Sequence, residues 1–220
     1  MLKTRLSTCM NYLKGHEVLY DIGTDHAYLP IQAIKLGYIK KAYAVDNKKG
    51  PLKRAFENIK DAQLLESIEP ILANGLEAIK DNVDVVLMAG LGGNLIYNVF
   101  HNTPLPHVKR LILQPNNHPE KVRKLTLEGY QIIDETVIIE DGLPYVIIVL
   151  EKGQASYSDQ AITFGPILLN KKQQAYQQLL EDEAAYLKRL INEIPYEQPK
   201  ERHQKRLEAI KEVLYEWDNH

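Results

Sequence analysis

Two carboxylates flank a glycine in the segment Asp21-Ile22-Gly23-Thr24-Asp25-His26-Ala27-Tyr28-Leu29-Pro30. A short apolar run, Val18 to Tyr20, precedes it and an apolar pattern of helical spacing follows, so it reads as a strand, a glycine turn and a helix start. In a doubly wound α/β fold that is where a cofactor binds. Asp21 and Asp25 would repel a diphosphate, and they suit a ligand that carries positive charge. Gly23 stands alone, without the closely placed glycines that bring backbone to a pyrophosphate, and Gly92-Gly93 further on lacks the lysine of a phosphate loop.

Other polar or small residues recur where ligands meet such a sheet, at the carboxyl ends of its strands. They are Asp46-Asn47, Asn74-Gly75, Ala89-Gly90 and Gln114 with Asn116. A carboxylate at the second strand end can accept both hydroxyls of a ribose. Asp46 is therefore read as a ribose contact in preference to a helix cap, since Asn47 can cap as well. S-adenosylmethionine has no phosphate and carries an ammonium and a sulfonium, which Asp21 or Asp25 can attract directly or through water. Of the histidines, His26 alone stands in a predicted ligand loop, and no H-x-x-x-H pair offers a metal site.

The elements that position these residues follow from periodicity. A first helix carries Leu2, Leu6, Met10 and Leu13. Strands are expected at Val18–Ile22, 42–45, 69–73, Val83–Met88 and Arg110–Leu113, separated by helices, with the fourth strand apolar on both faces. Tyr130–Ile139 and Tyr145–Leu150, joined through Asp141-Gly142, leave no room for a helix and should pair antiparallel. This is the plan of a Rossmann-like class I S-adenosylmethionine-dependent methyltransferase sheet with an antiparallel final strand. Periodicity lapses from Gly153 to Pro166. Beyond it, a Gln-, Glu-, Lys- and Leu-rich stretch broken at Pro195 and Pro199 predicts a C-terminal α-helical hairpin resembling a short coiled coil. The expected domains are 1–153 and 154–220.

The 220 residues are 45% hydrophobic and 25% charged, the balance of an ordinary globular protein. A net charge of −2 gives no global case for a polyanionic partner, so any nucleic-acid site must be a local patch. The single cysteine, Cys9, excludes an intrachain disulfide, and no apolar stretch is long enough to span a membrane; a cytoplasmic protein is expected.

The motifs together, Asp21 to Pro30, Lys49-Gly50-Pro51, Asn74-Gly75-Leu76, Ala89-Gly90-Leu91-Gly92-Gly93 and Leu113-Gln114-Pro115-Asn116, resemble the bacterial tRNA adenine-22 N1-methyltransferases, the TrmK family. The resemblance covers residues 1 to 152 in order and extends to the helical hairpin. It implies methyl transfer from S-adenosyl-L-methionine to N1 of an adenine in the D-arm region of tRNA. The expected cofactor contacts are Asp21, Gly23, Asp25, His26, Asp46, Asn47, Asn74, Gly75, Ala89 and Gly90. Asp25, His26, Gln114 and Asn116 are the catalytic candidates: Asp25 near the transferred methyl, His26 ordering its loop, Gln114 and Asn116 at the adenine edge. Lys3, Arg5, Lys48, Lys49, Lys53 and Arg54, with the hairpin, are the candidates for tRNA contact. The hairpin also suits a weak homodimer, the alternative being a monomer. A methyltransferase for another RNA or a small molecule, and a regulator that binds the cofactor without catalysis, remain competing readings.

Overall fold

The computed structural model describes residues 2–79, 83–103, 108–194 and 197–219, with the side chains of 197–199 also outside the description. His107, His220 and Pro195 lie outside these residues, as does the Pro199 side chain.

Helix α1, Thr4–Asn11, leads into an alternating series. Strand β1 is Val18–Ile22, α2 Tyr28–Lys35, β2 Lys41–Asp46, α3 Lys49–Asp61 and β3 Ile68–Leu72. The series continues with β4 Val83–Leu91, α4 Gly93–Asn102, β5 Val108–Pro115 and α5 Pro119–Arg123. It closes on the long hairpin of β6, Tyr130–Glu140, and β7, Leu143–Lys152. The seven strands form one sheet in the order β3-β2-β1-β4-β5-β7-β6. Strands β1 to β5 run parallel, and β7 is antiparallel to both β5 and β6. Order reverses between β1 and β4, which is where a crevice opens at the carboxyl ends.

Burial explains the strand sequences. Val85, Val86, Leu87 and Met88 at the centre are almost wholly enclosed because helices cover both faces of β4. Beneath α1, α2 and α3 the core includes Leu13, Leu19, Ala33, Ala42, Ile59 and Ile112. Cys9 belongs to this layer with no exposed surface, and burial pushes its thiol up to about 12.

The chain divides into two compact units, one ending at Ile167 and the next beginning at Leu168. The stretch from Gly153 to Pro166 differs from the sequence expectation, since it contains α6, Asp159–Phe164, before α7, Pro166–Lys171. Ser158 caps α6 by accepting the Ala161 N–H at 3.2 Å. A buried ion pair fastens this corner to the sheet unit: Arg123 Nε donates to Glu135 Oε1 at 2.7 Å, and Glu135 Oε2 accepts the Ile167 N–H at 3.0 Å. Arg123 Nη1 also donates to the carbonyls of Ile162 and Thr163. Hence 154–167 packs with the sheet unit instead of forming a free linker.

The second unit contains α8, Gln174–Glu193, and α9, Glu197–Asp218. Arg206 forks onto both Glu183 oxygens at 2.7 and 2.8 Å, and Tyr176 meets Trp217 with ring centroids 5.9 Å apart. These pairs run in opposite sequence order, so the helices are antiparallel. Among the described residues no helix is long and apolar enough to cross a membrane.

Candidate active site

The crevice is a cavity of about 410 Å³ walled by the ends of β1, β2 and β4 and by α3 and α4. Of the residues expected to contact a cofactor, Gly23, Asp25, Asp46, Asn47, Asn74 and Gly75 line it. Pro51, Met88, Leu91, Leu95 and Val99 supply an apolar wall that sequence reading missed. Leu95 and Val99 are one helical turn apart on α4, and that spacing was the available signal. Glycine is favoured at position 75, where φ is +56° and a Cβ would sit 3.2 Å from Val99 Cγ1.

At the second strand end, Asp46 Oδ1 accepts the Lys48 N–H at 2.8 Å. This bond closes a turn just ahead of α3 and is no helix cap, for the N-cap residue is Lys48 and no side chain caps it. Asp46 lines the cavity, with its second carboxylate oxygen remaining for a ligand.

The first loop separates its two carboxylates. Asp21 is buried and accepts the Thr24 hydroxyl at 2.7 Å. Burial, reinforced by the nearby Asp46 charge and opposed by the Thr24 hydrogen bond, pushes the Asp21 carboxyl up to about 6. Asp25 is exposed on the cavity wall, ion-paired to Arg54, with the His26 Nε2 3.5 Å away. Positive φ values at Asp25 (34°) and Ala27 (55°) let the chain turn sharply into α2. Such left-handed residues cost on the order of 1–3 kcal/mol each and mark a loop shaped for a ligand. His26 orders this loop in two ways. Its carbonyl accepts Asn58 Nδ2 at 2.9 Å, and its ring stacks on Tyr28 with centroids 4.9 Å apart and planes within 2°. Tyr28 is 54% exposed, an aromatic face on the ligand-loop side of α2 that the sequence did not single out.

On the other side, β4 carries a bulge between Ala89 and Leu91, with Gly90 at φ +79°. The freed Gly90 N–H donates to Gln114 Oε1 at 3.0 Å, and the Gly90 carbonyl accepts Asn116 Nδ2 at 2.7 Å. Ala89, Gly90, Gln114, Asn116, His26 and Asp21 are not among the residues that line the cavity. Of the two residues expected at the adenine edge, Gln114 is fully buried and Asn116 is exposed.

The basic candidates also divide. Lys48, Lys49, Lys53 and Arg54 are exposed on α3, with Arg54 committed to Asp25. Lys49 and Lys53 flank a shallow groove floored by Leu52, Phe56 and Pro70. Lys3 pairs with Asp141 at 2.8 Å, both exposed. Arg5 departs from the expectation of a phosphate contact: its Nη1 donates to Gln114 Oε1 at 2.8 Å, and its guanidinium lies over the Tyr145 ring. Among the described residues, no group of His, Cys, Asp or Glu is arranged to hold a metal.

A parallel sheet with a reversed strand at its end, and a crevice with carboxylates at the first and second strand ends, is the plan of the class I S-adenosylmethionine-dependent methyltransferases. Within that class the match is specific, for the family model of the tRNA (adenine(22)-N(1))-methyltransferases, TrmK, covers residues 19–217. The chain belongs to this family. It is 32% identical to the tRNA (adenine(22)-N(1))-methyltransferase of Bacillus subtilis over 97% of both chains. A Streptococcus pneumoniae protein crystallised in complex with S-adenosyl-L-methionine superimposes with a TM-score of 0.90 at 36% identity, covering 97% of this chain and 100% of that one. TrmK of M. capricolum in complex with S-adenosyl-homocysteine gives 0.89 at 30% identity, covering 97% and 98%.

Proposed function

We propose that this chain methylates N1 of adenine 22 in the D-arm region of tRNA, with S-adenosyl-L-methionine as donor. The observation that carries the reading is the cavity's chemistry. It offers carboxylates at the ribose and methyl-donor ends and an apolar wall for a purine, in a chain similar throughout to relatives solved with this donor and its product. When bound, S-adenosyl-L-methionine supplies an electrophilic methyl whose C–S bonding pair stays with sulfur as adenine N1 takes the carbon, leaving cationic 1-methyladenine and S-adenosylhomocysteine.

The residues have a positioning task, since N1 already has a free lone pair in the ring plane and needs no base. Asp46 holds the ribose hydroxyls, while Leu91, Leu95 and Val99 enclose the purine. Asp25 places negative charge near the developing adeninium, and Arg54 keeps that carboxylate aimed. A base taken out of its stack needs a new aromatic partner, which Tyr28, backed by His26, provides. Asn116 meets the adenine edge. Exposed Lys3, Lys48, Lys49 and Lys53, together with the α8–α9 unit, contact the phosphates.

Incubation with unmodified bulk tRNA and labelled donor, followed by nucleoside analysis, tests the function. The expected product is 1-methyladenosine mapping to position 22; methylation of a different nucleoside, or of small molecules alone, would overturn it. In the same assay Asp25→Asn should lower turnover on the order of tenfold to a hundredfold without altering the fold. Unchanged turnover removes Asp25 from the mechanism.

A further inference from the structure

The bulge at Gly90 creates a free backbone donor and a free backbone acceptor beside the cavity, and side chains from the end of β5 satisfy both. Gln114 takes the donor. Its Oε1 accepts from Gly90 N–H at 3.0 Å and from Arg5 Nη1 at 2.8 Å. Its Nε2 donates to the Pro115 carbonyl at 2.9 Å and lies 3.4 Å from Asn116 Oδ1. Reversing this carboxamide would set its NH2 against two donors and its oxygen against two acceptors. The guanidinium is one of those donors and can never accept a hydrogen bond. Arg5 is held by Glu140 and Tyr145. The Arg5 backbone N–H donates to Glu140 Oε1 at 2.9 Å, the guanidinium carbon lies 5.0 Å from the Tyr145 ring centroid, and Nε is 3.8 Å from Glu140 Oε2. That last separation gives a charge contact and no hydrogen bond, so the Nε is buried without one.

We propose that Arg5 is a positioning residue for methyl transfer: it locks Gln114, and through it Asn116, in the amide orientation that keeps hydrogen-bond donors away from the incoming adenine N1. The inference rests on the function proposed above. N1 reacts through its lone pair, and a donor placed on that pair would have to be stripped before the new bond forms. In the locked arrangement both Gln114 Nε2 protons and one Asn116 Nδ2 proton are directed at protein acceptors. At this corner the exposed Asn116 Oδ1, turned by one lone pair toward Gln114 Nε2, keeps its other lone pair to accept from the adenine 6-amino group. A guanidinium faced by Glu140 and turned inward onto Gln114 is poorly placed for tRNA phosphate, the role its sequence position suggested.

The test compares wild type with Arg5→Met and Arg5→Lys. Lysine is also donor-only and preserves the polarity of the lock, whereas methionine fills the space without it. Arg5→Met should lose about tenfold or more in kcat, with the donor's dissociation constant, the tRNA KM and the melting temperature little changed, and Arg5→Lys should recover part of the loss. In ¹⁵N-labelled protein the Gln114 carboxamide protons should exchange about tenfold faster in Arg5→Met than in wild type. Unchanged kcat overturns the proposal, as does a loss confined to tRNA KM with a reduced salt dependence, which would mark a phosphate contact. Where Arg5→Met does not fold, Arg5→Lys decides on the same two readouts, and wild-type kcat in a folded Gln114→Lys protein, whose ammonium cannot accept from Arg5, overturns the lock. Wild type that makes no 1-methyladenosine defeats the functional reading, while the exchange measurement still judges the lock.

Discussion

Asp21 and Asp46 show how one residue type does two jobs a short distance apart. The folded protein holds the Asp21 carboxyl up at about 6 through burial, so across roughly pH 4 to 6 the native state keeps a proton that the unfolded chain releases. Raising the pH through that window therefore costs stability, and the cost, about 3 kcal/mol for a shift of about two units, is complete above pH 6. Asp21→Asn still accepts the Thr24 hydroxyl and carries no charge. Its stability advantage over wild type should grow from near zero at pH 4 to about 3 kcal/mol at pH 7, as read from urea unfolding at each pH. Parallel stability profiles would show that the Asp21 charge is compensated in the fold. Asp46 is tested differently, since its Oδ1 also accepts the Lys48 N–H in the turn ahead of α3. Asp46→Asn keeps an acceptor for that turn and Asp46→Ala does not. Both should weaken S-adenosylmethionine binding on the order of tenfold to a hundredfold by calorimetry, while Asp46→Ala alone loses about 1 kcal/mol of stability. Donor affinity equal to wild type in both variants would overturn the ribose assignment.

At the scale of elements, the site depends on how closely α4 begins against the loop that follows β5. A Cβ at Gly93 would fall 2.5 Å from the Asn117 carbonyl oxygen and closer still to that of His118, and backbone cannot swing aside as a side chain can. Gly93→Ala should therefore cost several kcal/mol in chemical denaturation, whereas Gly92→Ala, whose Cβ would meet only the Asn117 side chain at 3.4 Å, should cost far less. Equal costs would mean that the two loops separate freely. The sheet itself was legible in sequence: the unbroken apolar run of β4 needs two covered faces, and Asp141-Gly142 between β-rich runs permits only a hairpin. Helix α6 was hidden because six residues are too few for periodicity, and only the Ser158 cap announced it. The polar residues at the strand ends were legible one by one because the fold rule names those positions. Their partners were not, since the Asp25–Arg54 pair and the Arg5–Gln114–Glu140 network join residues from distant parts of the chain and leave no local spacing. Arg5 was misjudged for this reason: charge in sequence suggests a surface, and only tertiary contacts showed an inward-facing guanidinium.

For the molecule as a whole, the sheet unit contains every residue lining the cavity, and the α8–α9 unit contributes none. A chain ending at Lys171 should accordingly bind S-adenosylmethionine as the full chain does and bind tRNA more weakly. Its dependence of log K on log salt should also be shallower, by about 0.9 for each phosphate that the α8–α9 unit neutralises in the full chain. Identical tRNA affinities and slopes would assign the α8–α9 unit another task, and a change in light-scattering mass on truncation would identify that task as dimerisation. The thiol of Cys9 brings a practical consequence. It is the only cysteine in the chain, it has no exposed surface, and its pKa near 12 leaves on the order of one molecule in 10⁵ as thiolate at neutral pH. The native protein should therefore react only slowly with maleimide dyes, and a single cysteine introduced at exposed Tyr215 would carry a fluorophore with little unwanted labelling, ready for single-molecule distance measurements on tRNA capture.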